Sequence, residues 1–125
     1  MRFGRVVFAT AGILGLVILL PGFFTIDLVG QQFPPAVTHP DFYYGFLCVT
    51  VAWQIVFLVI ARDPIRYRPL MPAAMLEKFP YVVMLLILFS RGQLAAPQLT
   101  AVAIDGTLGV LFVAAFIRTR RSQEG

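Results

Sequence analysis

The sequence is poor in charge, with charged residues at 13% of its 125 positions, and it contains a single cysteine, Cys48. Soluble domains carry roughly twice that share of charge, so the composition excludes an ordinary soluble domain. One thiol cannot supply an internal disulfide, a redox pair or a multi-thiolate metal site. The sequence also lacks a phosphate-binding glycine loop, a metalloprotease motif and a nucleophile elbow. We therefore expect no metal and no cofactor.

Apolar residues fill the place of the missing charge: 59% of the chain is hydrophobic and its mean hydropathy is +0.85. Four long apolar runs cover about residues 3–20, 42–61, 73–94 and 99–117. Each run is close to the roughly 20 residues that a helix needs to cross a bilayer. The runs do not alternate polar and apolar residues as barrel strands do. We predict an all-α, polytopic membrane protein with a single membrane domain over residues 1–125, folded as an antiparallel four-helix transmembrane bundle.

The basic residues predict how the bundle is oriented, because cytoplasmic flanks of membrane helices hold the excess of Lys and Arg. Only Arg91 falls on one side of the predicted bundle. The other side holds Arg2, Arg5, Arg62, Arg66, Arg68, Lys78, Arg118, Arg120 and Arg121. We expect both termini in the cytoplasm. Because these residues are split among separate membrane-edge segments, they indicate contact with membrane lipids and not with nucleic acid.

The first outer connection, residues 21–41, is long and rich in apolar residues. Long irregular loops are uncommon unless they are functional or disordered. We expect this long outer loop between helices 1 and 2 to fold over the outer end of the bundle, either as a lid or as an interfacial cover. Asp41 is expected to cap the second helix.

The candidate ligand-binding residues are polar groups at predicted membrane depth, where an ionisable side chain is costly without a partner. Asp105 is the acid placed inside a span, and Arg91, near the end of the adjacent helix, is its expected ion-pair partner. That ion pair either holds two helices together or forms the polar end of an outer pocket. Gln54 lies in the second predicted span. We expect His39 and Tyr43 to reach the outer region near Asp105.

The second candidate site is at the cytoplasmic edge, where the sequence is dense in charge and proline. Its residues are Arg62, Arg66, Arg68, Glu77 and Lys78. Lys78 is expected to extend its ammonium towards water, and Glu77 is expected to pair with one of the arginines. The cluster is either a structural ion-pair network or a contact for a lipid head group or a protein partner.

Several short segments resemble a group of small, uncharacterised bacterial four-helix membrane proteins. The resemblance rests on Tyr44-Gly45-Phe46, Ala52-Trp53-Gln54, Ala61-Arg62-Asp63-Pro64, Tyr67-Arg68-Pro69 and Glu77-Lys78. It implies a bacterial inner-membrane setting, and it implies no activity and no site residues.

Three functions remain open on the sequence. The first is a non-enzymatic membrane component, an interaction or lipid-associating protein that acts as a homo-oligomer or with a protein partner. The alternative is binding or transport of a small hydrophobic or amphipathic ligand at an outer pocket around Asp105 and Arg91. A lipid-modifying membrane enzyme is the third possibility. It ranks last because the sequence offers a single intramembrane acid, Asp105, as a catalytic group.

Overall fold

The computed structural model describes residues 2–32 and 36–124, with side chains as far as residue 120. All regular structure in these residues is helical, and they contain no strand. The α-helices are α1 (Arg2–Leu19), α2 (Ile26–Gln32), α3 (Pro40–Arg62), α4 (Met71–Ser90) and α5 (Leu99–Glu124). Four segments of 23 to 25 residues, built on α1, α3, α4 and α5, are long and apolar enough to cross a membrane. The predicted all-α class with four such helices is confirmed.

The connection between α1 and α3 is more regular than the long loop expected from the sequence. After α1 the chain forms a 3-10 turn over Leu20–Phe24, with Pro21 near its start, and then continues as α2. The hydroxyl of Tyr43 in α3 donates a hydrogen bond of 2.7 Å to the carbonyl oxygen of Gly22. This bond ties the 3-10 turn to the start of α3.

The start of α3 differs from the prediction that Asp41 is its cap. His39 is the N-cap residue, without a side-chain capping bond, and Asp41 lies in the first turn. Pro40 takes the first helical position because proline has no N–H to satisfy there and its fixed φ suits a helix start. Asp41 still places negative charge near the helix N-terminus, where the helix dipole favours it.

The end of α4 also differs from the predicted limit near residue 94. Gly92 has a φ of +71°, in the left-handed region that a residue with a side chain rarely adopts. The N–H of Gly92 donates to the carbonyl of Phe89, and the N–H of Gln93 donates to that of Leu88. These two bonds form a Schellman motif, which ends the helix and leaves Arg91 as its C-cap.

The long helices pack in two close pairs, α1 with α3 and α4 with α5, and contacts between α1 and α5 join the pairs. α4 and α5 run in opposite directions, because Met71 contacts Thr119 and the later residue Lys78 contacts the earlier residue Asp105. The core is built around aromatic rings. Phe8 stacks on Phe112 with centroids 4.4 Å apart, and Phe57 meets the same ring at 5.0 Å.

Glycines allow the close approach within both helix pairs, as small residues do between apolar helices. A Cβ on Gly12 of α1 would lie 2.7 Å from the side chain of Leu58 in α3. A Cβ on Gly109 of α5 would lie 2.9 Å from the ring of Phe79 in α4. Gly106 of α5, by contrast, has nothing within 4 Å of its Cβ position.

Candidate ligand-binding cavity

Three charged side chains, Glu77, Lys78 and Asp105, form an ion cluster between α4 and α5. The Lys78 Nζ lies 3.1 Å from the Asp105 Oδ1, to which it donates a hydrogen bond, and 3.3 Å from the Glu77 Oε2. It also lies 5.4 Å from the centre of the Phe57 ring, within the range of a cation–π interaction. Lys78 is only 4% exposed. A charge so well buried is tolerated only with such partners, because its desolvation costs several kcal/mol.

The partner of Asp105 is therefore Lys78, and the predicted pair with Arg91 is wrong. Arg91 is exposed at the C-cap of α4, outside the helix. At 1.5 Å per residue, the 13 positions between Lys78 and Arg91 correspond to about 20 Å along a helix axis. Asp105 lies beside the earlier turns of α4, so Lys78 reaches it and Arg91 does not.

The expectation that Lys78 extends into water, and that Glu77 pairs with an arginine, is also wrong. α4 begins at Met71 and continues through Pro80, so Lys78 lies a full two turns inside the helix, on the side that faces α5. Glu77 is directed to Lys78, and its side chain is 14% exposed. The cluster joins two helices and belongs to the interior of the protein.

Gln54 of α3 is the other buried polar residue near this cluster, and it is 1% exposed. Its Nε2 donates a hydrogen bond of 2.9 Å to the carbonyl of Thr50, one turn earlier. Among the described residues its Oε1 has no hydrogen-bond partner. The side chain packs directly against α1, because a Cβ on Gly15 would overlap that oxygen. Gln54 therefore joins α3 to α1 by close packing, and no hydrogen bond between these two helices involves its side chain.

A cavity of about 310 Å³ lies between the two helix pairs, and Gln54, Lys78 and Asp105 are in its wall. Its size is at the lower end of the range for small-molecule sites. The wall is mostly apolar. The lining residues are Ala11, Leu14, Gly15, Ile18 and Leu19 of α1, Phe46, Thr50 and Gln54 of α3, Lys78 and Tyr81 of α4, and Thr100, Ala101, Ile104, Asp105 and Leu108 of α5.

The cavity occupies one half of the protein, and the packed aromatic core occupies the other. The cavity-lining residues belong to the end of α1 and the beginnings of α3 and α5. The core residues Phe8, Phe57 and Phe112 lie nearer the opposite ends of these helices. Phe46 and Tyr81 flank the cavity where α3 and α4 approach each other, with ring centroids 5.9 Å apart.

The structure places only part of the predicted ligand site at this cavity. Asp105 and Gln54 line it, whereas Arg91, His39 and Tyr43 do not. His39 is exposed beside the Phe42 ring at 5.1 Å, and Tyr43 holds the turn after α1. The sequence analysis missed Tyr81. Its position three residues after Lys78, on the same helix face, was the available signal.

The half of the protein that holds the core ends in a basic surface, which we call the arginine end. Its residues are Arg2, Arg5, Arg62, Arg66, Arg68, Arg118 and Arg120. Arg118 lies over the Phe3 ring at 4.2 Å, which brings the end of α5 beside the start of α1. Arg62 and Arg66 are exposed. Arg68 is half-buried, because its Nε donates a 3.1 Å bond to the Phe116 carbonyl and its guanidinium covers the Phe116 ring.

Of the predicted cytoplasmic site, Arg62, Arg66 and Arg68 thus lie at the arginine end, while Glu77 and Lys78 belong to the ion cluster. Within the described residues, no three His, Cys, Asp or Glu side chains are grouped so that they could hold a metal ion.

Comparisons of the chain with protein-family models, with curated proteins and with solved structures returned no match.

Proposed function

We propose that this protein is an integral membrane protein whose four long helices form an antiparallel transmembrane bundle. The outward surface of the helices supports this assignment. Each long helix exposes an aliphatic side chain by 62 to 70%: Val17, Val49, Leu76 and Val110. At most 22% of the residues in the most apolar part of each candidate span are buried inside the protein. Such a large apolar surface is stable in hydrocarbon and would cause aggregation in water.

The arginine end is proposed to face the cytoplasm of a bacterial cell, at the inner membrane. The opposite end carries Asp27, Asp41 and Arg91, so the cationic excess is confined to one end. This is the distribution that the positive-inside rule associates with cytoplasmic flanks. The exposed Arg62 and Arg66 would then lie among anionic lipid head groups.

The function we propose is the non-enzymatic binding of a small amphipathic molecule in the cavity. One observation carries this proposal: a mostly apolar cavity of about 310 Å³ has the Lys78–Asp105 ion pair in its wall. The cavity opens at the protein surface, so a molecule from the bilayer could enter it. The exposed residues in its wall are Leu14, Ile18, Phe46 and Tyr81. A ligand with an apolar body and a polar end would match the wall.

The test is native mass spectrometry of the protein released from gently solubilised membranes. We expect a reproducible adduct of one mass on the wild-type protein. Ala101→Phe should remove the adduct because Ala101 lines the cavity and the larger side chain would occupy it. Ala103→Phe is the matched control, since Ala103 lies on the same helix, is exposed and does not line the cavity.

Asp105→Asn should also weaken the adduct while preserving the fold. An asparagine retains an oxygen that can accept from Lys78, and Glu77 still compensates the lysine charge. An adduct retained equally by Ala101→Phe and Ala103→Phe would contradict binding in the cavity. The protein could instead carry only lipids of mixed mass and be found as a homo-oligomer or in a complex with a second protein. That result would favour a membrane component that acts through protein interactions.

A further inference from the structure

The ion cluster carries unequal numbers of charges, and this bears on which molecules the cavity accepts. Two carboxylates, Glu77 and Asp105, face a single ammonium, that of Lys78. With all three groups ionised, the cluster has a formal excess of one negative charge. Lys78 and Asp105 line the cavity, whereas Glu77 contacts Lys78 and is not a lining residue; no other charged side chain lines the cavity among the described residues. An excess charge in an apolar environment is costly, and a bound cation would offset it.

Asp105 and Gln54 each have one acceptor oxygen without a hydrogen-bond donor among the described residues. Lys78 is shared between two carboxylates, and the Gln54 amide N–H group donates to Thr50. Among the described residues, Asp105 accepts its hydrogen bond through Oδ1, and no hydrogen bond is made to its second oxygen. The Gln54 Oε1 is an acceptor without a donor. The hydroxyls of Tyr81 and Thr100, which also line the cavity, can donate or accept.

We propose that the cavity selects amphipathic molecules whose polar end is a protonated amine, with the ammonium group against Asp105. This inference rests on the proposed binding function and specifies its ligand class. An ammonium supplies both the missing positive charge and the hydrogen-bond donors. A carboxylate would add a second excess negative charge, and an alcohol would supply one donor without charge.

The size of the cavity limits the apolar part of such a ligand. A volume of about 310 Å³ is roughly twice that of a cavity known to admit benzene, and it holds roughly ten non-hydrogen atoms at the ~30 Å³ that one water molecule occupies in the liquid. An amine with a chain of about eight carbons fits this limit. Octylamine, octanol and octanoate are therefore matched probes that differ only in their polar end.

The experiment is equilibrium dialysis of each probe against the protein in nanodiscs of uncharged phosphatidylcholine. The amount of probe bound to wild type minus the amount bound to Ala101→Phe is the cavity-specific binding. This subtraction corrects for probe that dissolves in the lipid. We expect octylamine to bind at least about tenfold more tightly than octanol or octanoate, the increment of one charge-assisted hydrogen bond. Asp105→Asn should reduce octylamine to the level of octanol and leave octanol unchanged.

Two results would overturn different parts of the proposal. Equal or tighter cavity-specific binding of octanol or octanoate would refute the ammonium class and retain the binding function. If no probe shows binding that depends on Ala101, and native mass spectrometry finds no adduct that depends on it, the binding function fails as well. If Asp105→Asn does not fold, the comparison of the three probes on wild type still decides the ligand class.

Discussion

At the scale of single residues, Lys78 compensates two acids in the protein interior, and its loss should be costly. Lys78→Met keeps the apolar stem and removes the ammonium that both carboxylates contact. Breaking a buried pair leaves an uncompensated charge, so we expect the free energy of unfolding to fall by about 3–5 kcal/mol. The measurement is equilibrium unfolding of the purified protein in mixed detergent micelles, followed by circular dichroism.

Arg91→Met is the matched control for this prediction, because it removes the other cation that the sequence offered to Asp105. Arg91 is exposed at the C-cap of α4, and no ion pair involves it among the described residues. Its substitution should change the free energy of unfolding by no more than about 0.5 kcal/mol. A larger loss in Arg91→Met than in Lys78→Met would show that the sequence-based pairing was right.

The sequence identified Asp105 as a buried acid, but it did not identify the residue that pairs with it. Asp105 could be recognised from the sequence because an acid inside an apolar run needs a partner. Which cation reaches it depends on where α4 starts and ends beside α5. The predicted span begins near residue 73, only five residues before Lys78, whereas α4 begins at Met71. The sequence analysis therefore placed Lys78 at the edge of the membrane instead of inside the helix pair.

At the scale of elements, the contact between α1 and α3 depends on Gly15 lying under the Gln54 side chain. Gly15→Ala would place a Cβ that overlaps the Gln54 Oε1, so the side chain or the helices must move. Overpacking of this kind costs about 1–3 kcal/mol. We expect a lower melting temperature in detergent and recovery of most of the loss in the double variant Gly15→Ala with Gln54→Ala.

Gly106→Ala provides the matched control on another helix. Nothing lies within 4 Å of its Cβ position, so the substitution should be neutral or stabilise α5 by up to about 1 kcal/mol, the helix preference of alanine over glycine. Equal melting temperatures for Gly15→Ala and Gly106→Ala would contradict a close α1–α3 contact at Gly15. A double variant no more stable than Gly15→Ala would assign the loss to another neighbour.

The four long helices could be predicted because length and hydropathy alone identify them. Their limits and contacts could not. Gly92 ends α4 through its positive φ, a backbone conformation that the apolar run does not reveal. The sequence does not distinguish the glycines that contact a neighbouring helix from those that do not. In the structure Gly12, Gly15 and Gly109 each face a close neighbour, whereas Gly106 faces open space. The cavity arises from this packing, so the sequence predicted some of its residues and not its shape.

At the scale of the whole molecule, the direction in which the protein crosses the membrane determines where a ligand would come from. The cavity and the arginine end lie in opposite halves of the long helices. If the arginine end is cytoplasmic, the cavity lies in the outer half of the bilayer. Amphipathic molecules would then reach it from the outer leaflet or from the space beyond.

Thiol labelling of intact cells tests this orientation on a Cys48→Ala background, which is needed because Cys48 is itself exposed. Arg66→Cys and Ala95→Cys place one thiol at an exposed position on either side, before α4 and after it. A membrane-impermeant maleimide should label position 95 in intact cells and position 66 only after permeabilisation, while a permeant maleimide labels both. Labelling of position 66 in intact cells would contradict a cytoplasmic arginine end. The cavity would then lie in the cytoplasmic half of the bilayer, and the search for its ligand would move to amphipathic amines made inside the cell.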